Sequence, residues 1–196
     1  MARIILLAAA VFALGGCQGD RREPNVGLTA AAQQVQVMAA RFAPVDVSAN
    51  IFGLPPNERR ALAKLVEAAT VLDAIFLRQV WAGNGSMLTD LQRDGTDVGR
   101  ARLHYFLINK GPWSRVDEHQ PFMPGVPLKP LQANFYPIDA TKEDLESWLS
   151  TLSPAERAAA TGYYTTIRRG TKAGFVVTPY SLEYQGELAL VGSLLR

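Results

Sequence analysis

The stretch Lys110–Pro137, KGPWSRVDEHQPFMPGVPLKPLQANFYP, decides how the rest of the chain is read. Six of the twelve prolines fall in it, at positions 112, 121, 124, 127, 130 and 137, so half of them occupy one seventh of the sequence. Proline fixes φ, removes a backbone donor and restricts the residue before it, so helix is excluded and extended backbone is favoured. A flexible linker would be small and polar. This stretch instead holds Trp113, Phe122, Met123, Phe135 and Tyr136, whose rings need something to pack against. The expectation is a long ordered loop laid across a helical body. Loops of this length without regular structure are usually functional or disordered, and the aromatic content argues against disorder.

Upstream of the loop the apolar spacing is helical. Leu28 to Ala43 places Leu28, Ala32, Val35, Met38, Ala39 and Phe42 on one face, with Pro44 as the stop. Asn57 is a candidate N-cap for a long helix to about Ala82. Its stripe of Leu62, Leu65, Val66, Ala69, Leu72, Phe76 and Val80, widened by Ile75, Leu77 and Trp81, predicts burial on more than one side. Glu67 and Asp73 border that stripe, either as solvated edge charges paired with Lys64 and Arg78 or as carboxylates pointing into a cleft. Shorter helices are expected over Ser86–Arg93 and Asp97–Asn109, the second carrying His104, a residue that on an apolar helix usually packs or caps.

Downstream, Thr141-x-x-Asp144 is a near capping box, and Ser153-Pro154-Ala155-Glu156 is a fuller one with proline at the first helical position. Leu145, Trp148, Leu149 and Leu152 form the expected inner face of the first of these helices. The period then changes. Tyr163–Arg169 and Phe175–Thr178 are β-type runs around the turn Gly170–Gly174 and predict a hairpin. A last helix starts near Ser181 and carries Leu182, Leu188, Leu190, Val191 and Leu194 to Arg196 with no stop signal. An apolar segment of that kind needs a partner surface, and the expectation is that the chain is the front portion of something longer. The fold class is α+β, predominantly helical, with one β-hairpin and the long proline-rich ordered loop.

The N-terminus reads as a targeting segment. Arg3 gives a short basic start, Ile4 to Leu14 is apolar, and Leu14-Gly15-Gly16-Cys17 resembles a bacterial lipoprotein cleavage box. Cys17, the single cysteine, is then the lipidation site; the plainer alternative is an ordinary secretory signal with a chance cysteine. Residues 1–17 form the signal and lipidation cysteine, 18–27 a polar tether, and 28–196 the helix-rich region. The expected location is the cell envelope, lipid-anchored at the outer membrane or periplasmic face, since Gln18 rather than Asp follows the cysteine. With one cysteine, neither an internal disulfide nor a cysteine zinc cluster can form. The net charge of +2, with no basic run, gives no support for nucleic-acid binding.

The segments GPWSRVDEHQPFMPGV and KPLQANFYPIDATKEDLESW resemble the dipeptidyl peptidase III family of zinc metallopeptidases, in particular its bacterial members. Pro56-Asn57-Glu58 leading into KLVEAATVLDAIFLRQVW, and YYTTIRRG followed by VVTPYSLEYQGEL, agree, so the resemblance runs from about Asn50 to Arg196. It implies an enzyme that removes dipeptides from peptide N-termini with a zinc ion, held by a His-Glu-x-x-x-His helix and a further glutamate. Nothing here matches that motif. The two histidines are His104, followed by Tyr105, and His119, whose reversed motif would need histidine where Arg115 stands. A phosphate-binding glycine loop and a G-x-S-x-G elbow are also missing from the sequence. Asp117-Glu118 and Glu143-Asp144 are adjacent carboxylates; the second pair suits a helix's first turn.

The resemblance thus implies that the chain corresponds to the N-terminal part of such a metallopeptidase, and the expectation is that it has no catalytic residue and no cofactor of its own, with zinc implied for the complete enzyme. Its partners would be a peptide substrate, once a catalytic region completes it, and a membrane through the lipid. Asn134 and Tyr136 of NFYP offer an amide and a phenol for a peptide backbone, and Trp113 with Arg115 offers a stacked pair or a hold on an acidic group. The alternative for the aromatic residues is that they pin the loop to the body. The alternative for the whole is a non-catalytic surface lipoprotein that binds peptides or a partner protein.

Overall fold

A computed structural model of the chain describes residues 29–171 and 174–196. The signal segment, Cys17 and the tether lie outside the described residues. Among the described residues no helix is long and apolar enough to cross a membrane.

Helix α1 spans Ala30–Ala39, with the Thr29 hydroxyl accepting from the Ala32 N–H as its cap. Helix α2 spans Pro56–Val80. It starts one residue before the expected cap: Pro55 is the N-cap and Pro56 the first helical residue, so Asn57 lies inside the helix. Proline suits that position because its φ is preset and its missing N–H would have no helical partner. Helix α3 runs Asn84–Arg93 and α4 Asp97–Asn109, the latter capped by Thr96. Lys110 then takes a left-handed conformation, φ 56°, and ends α4.

The proline-rich loop follows. It contains an unexpected two-rung ladder, β1 (Trp113–Ser114) against β2 (Gln120–Pro121), so the structure has a second small hairpin. Glu118 and His119 make its turn with positive φ, 52° and 60°. Neither is the glycine or asparagine that ordinarily announces such a backbone, although histidine adopts it more often than most residues. Helices α5 (Lys142–Thr151) and α6 (Pro154–Ala160) both begin with complete capping boxes, Thr141 with Asp144 and Ser153 with Glu156. Strands β3 (Thr165–Arg169) and β4 (Phe175–Pro179) pair antiparallel with Ile167 opposite Val177. Helices α7 (Tyr180–Glu183) and α8 (Gln185–Leu194) close the described chain.

The core sits where the loop meets the helices. One cluster joins Val35 of α1 with Ala101 and Tyr105 of α4; a second joins Leu77, Leu91 and Phe106. Phe122 of the loop packs on both, its ring edge-on to Tyr105 at 4.7 Å between centroids. The loop is thus a wall of the core.

Two expectations change and a third holds in part. Helix α2 is buried on more than one side near its end, by Ile75 and by Leu77 against Leu91 and Phe106, but part of its stripe, Leu65, Val66, Leu72 and Phe76, is exposed. Asp73 pairs with Lys110 at 2.7 Å, not with Arg78, because Arg78 points the other way onto α8; Glu67 does pair with Lys64. His104 is exposed rather than packed. The inner face of α5 (Leu145, Trp148, Leu149) is half-buried, with Trp148 against Phe175 of β4.

Candidate functional site

The last turn of α2, the NFYP segment and β3 enclose a cleft of about 280 Å³, lined by Trp81, Asn134, Tyr136, Arg168, Arg169 and Glu183 among others. Its floor is built by the loop. Ala133 turns the chain in the left-handed region, φ 51°, with its N–H on the Pro130 carbonyl. That brings Asn134 against α2, where its backbone N–H donates to the Gln79 carbonyl and its Nδ2 to the Arg78 carbonyl, both at 2.9 Å. These carbonyls belong to the unpaired end of a helix, which needs outside donors. Phe135 in turn offers its carbonyl to the Ile167 N–H at 2.8 Å, so the loop extends the free edge of β3 by one bond.

Arg168 crosses the cleft wall. Its guanidinium reaches the Asn134 carbonyl at 3.0 and 3.1 Å and grips both Glu183 oxygens at 3.2 and 2.8 Å. This two-pronged arrangement is one that lysine cannot copy. Arg78 completes the knot, donating to the Glu183 carbonyl, pairing with Glu187 and lying over the buried Tyr184 ring at 4.8 Å. Burial pushes the Tyr180 and Tyr184 phenols above their ordinary range. At the rim Arg169 pairs with Asp139 at 2.9 Å and covers the Phe175 ring. The hydrogen bonds that Asp139 accepts from Arg169 hold its carboxyl below the usual value.

The structure separates the four residues singled out from sequence. Asn134 and Tyr136 come together at the cleft, but the Asn134 amide hydrogen bond and both of its backbone groups are engaged within the protein. The partly exposed Tyr136 is the free one at the opening. Trp113 lies elsewhere, 2% exposed, with its indole N–H on the Pro127 carbonyl at 2.9 Å and its ring edge-on to Trp81. Arg115 is exposed beyond it, and burial together with the Arg115 charge lowers the Lys129 ammonium. Trp113 and Arg115 thus face different surroundings and form no stacked pair. Sequence reading missed Arg78, Arg168, Glu183 and Glu187. No local signal announced them: Glu183 ends α7 and Glu187 lies in α8, with Tyr184 (φ −120°, ψ 30°) breaking the helix between them, and their arginine partners stand 15 and 109 residues away.

Among the described residues no three His, Cys, Asp or Glu side chains gather as a metal site would require. His104 borders an apolar groove with Phe42 and Pro44, while His119 sits in the β1–β2 turn beside a different pocket that includes Lys129.

No family model matches the chain. Two solved structures do. Dipeptidyl-peptidase III from Corallococcus sp. strain EGB shares 53% identity and a TM-score of 0.80 over 84% of this chain. DPP III from Caldithrix abyssi shares 34% identity and a TM-score of 0.76 over 81%. A curated relative, Nudix hydrolase 3 of Arabidopsis thaliana, is 31% identical over 183 residues, 78% of this chain. The chain spans 31% and 30% of the two solved chains and 24% of the curated relative. Over the matched residues it is dipeptidyl peptidase III-like in both sequence and fold. The Nudix name belongs to a protein of which three quarters lies outside the match, and it brings no reaction to these residues.

Proposed function

We propose that the chain is the N-terminal part of a zinc-dependent dipeptidyl peptidase-like hydrolase, active only when joined to a region that carries the metal. The observation behind this reading is the 53% identity to a dipeptidyl-peptidase III at a TM-score of 0.80. In the complete enzyme zinc would polarise the scissile carbonyl and activate water. This chain's part is different. Arg168, held by Glu183, fixes the Asn134 carbonyl, and Asn134 fixes the loop to α2. The rigid wall so formed presents the Tyr136 hydroxyl at the cleft mouth, where it hydrogen-bonds an extended peptide substrate. Acylated Cys17 holds the assembly at the cell envelope.

A second reading, in which the cleft lined by Tyr136 and Arg168 serves binding alone, is a non-catalytic surface lipoprotein whose cleft binds peptides or a partner protein. Zinc content and dipeptidyl-naphthylamide hydrolysis of purified Gln18–Arg196 separate the two, measured alone and joined to the metal-bearing remainder of a dipeptidyl peptidase III. Activity and zinc only in the joined protein, with KM raised by Tyr136→Phe, support the hydrolase. Stoichiometric zinc in the short chain, or a stable joined protein without activity, counts against it.

A further inference from the structure

Helix α2 is covered by α8 and, through Leu77, by α3 and α4, and is bare on another side. Ala68 and Ile75 are buried, and Arg78, on the same side, reaches Glu187 of α8. Leu65, Leu72 and Phe76 are exposed by 54%, 46% and 42%, with Val66 beside them at 59%. The first three are spaced by two and then one further helical turn, so they share a face. From Ala61 to Phe76 no charged residue shares that face: Lys64 and Glu67 pair with each other to its side, Asp73 pairs with Lys110, and the nearest charge on the face itself is Glu58, two turns before Leu65. An uncharged stripe of large side chains on an outer helix is an interaction surface, not ordinary solvent-facing helix.

Chain that would cover it exists in the longer relatives. The solved chains run to about three times the length of the part matched here, and the matched part keeps its shape. We propose that the Leu65–Leu72–Phe76 face docks an apolar helix from the portion of a dipeptidyl peptidase III-like body outside the matched segment. The occupant's chemistry follows from the stripe: aliphatic or aromatic side chains at helical spacing, with no charge at its centre, since a charge there would be desolvated without a partner. This inference rests on the hydrolase reading above and names the partner surface within it.

The test places residues 29–196 into the Corallococcus enzyme in place of its matched segment, with and without the pair Leu72→Glu and Phe76→Glu. The same pair is made in the chain by itself. Docking predicts that the pair leaves the melting temperature of the separate chain unchanged but lowers that of the chimera by roughly 5 °C or more. Equal stability of the two chimeras overturns it. So does a large loss in the separate chain, or a separate chain that is dimeric until the glutamates disperse it, because the occupant is then internal or a second copy. If the chimera does not fold, the glutamates go into the intact Corallococcus enzyme at the aligned positions, where unchanged stability overturns the proposal and a clear loss supports it. Peptide hydrolysis by the chimera reads the function separately. A folded, stripe-dependent but inactive chimera sinks the hydrolase reading and leaves the docking face standing.

Discussion

Asn134 ties the proline-rich loop to the end of the longest helix by donating its Nδ2 to the Arg78 carbonyl, 56 residues away, at 2.9 Å. The bond closes the cleft floor, because the same residue's carbonyl receives Arg168. Replacing Asn134 by Ala removes a neutral hydrogen bond worth about 1 kcal/mol. Asn134→Asp is expected to be worse at neutral pH, since it sets a carboxylate oxygen against a carbonyl oxygen. Thermal unfolding of both variants checks the order. If Asp were tolerated as well as Ala, the amide would not be acting as the donor.

A second tie is a relay through the small hairpin. The buried Tyr105 hydroxyl donates to Ser114 Oγ at 2.7 Å, which leaves the Ser114 proton for Asp117 at 2.6 Å, and Arg41 closes on the same carboxylate at 2.7 Å. The Ser114 hydroxyl first, and Arg41 second, hold the Asp117 carboxyl below its ordinary value. A carboxyl depressed in the folded state adds stability that is present above the unfolded pKa and lost as pH falls through the folded one. The wild type should therefore lose more stability than Asp117→Asn between neutral and strongly acid pH. The unfolding midpoints of the two should converge at the acid end. Ser114→Ala should cost about 1–3 kcal/mol even in acid, because it strands the Tyr105 hydroxyl in the core, and more at neutral pH, where the Asp117 carboxylate loses its hydroxyl partner as well.

What the sequence made legible follows from the range of each interaction. The caps at Thr141 and Ser153 and the limits of α4 come from residues within four positions of each other, and the structure has them where the pattern puts them. The β3–β4 hairpin is equally local. The β1–β2 ladder was not visible, because Glu118 and His119 take positive φ without the glycine or asparagine that would announce it. The proline-rich stretch gave away that it packs, through its rings, but not onto what. Phe122 meets α4, and Asn134 meets α2, by folding alone. The apolar width of α2 was plain in sequence, yet no pattern in one chain says which part of that width another segment covers.

The Arg168–Glu183 pair holds β3, α7 and the loop in register, with side chains only 26% and 17% exposed. Removing one member strands the other in a largely desolvated place, so Glu183→Ala is expected to cost about 2 kcal/mol, below the figure for a fully buried pair. Arg168→Lys should lose nearly as much, because an ammonium cannot bridge both carboxylate oxygens and the Asn134 carbonyl. A double-mutant cycle with Arg168→Met and Glu183→Leu should give a total well short of the sum of the single losses. Additive losses would mean that the two side chains stabilise the fold independently. Added salt should weaken the exposed Lys64–Glu67 pair more than this one.

Phe122 decides whether the loop belongs to the core. It is half-buried, touches both apolar clusters and meets Tyr105 edge-on at 4.7 Å. Its backbone N–H also closes on the Pro112 carbonyl at 3.1 Å, which fixes where the ring enters. Phe122→Ala should cost about 2 kcal/mol, less than a fully buried phenylalanine, and lower the melting temperature by roughly 4–8 °C. Phe122→Leu should recover most of that, since it refills the volume and loses chiefly the ring contact. The loss should appear as one cooperative transition, with amide exchange accelerated in α4 as well as in the loop. Faster exchange confined to residues 113–127, with α4 unchanged, would show instead that the loop only rests on the helical body.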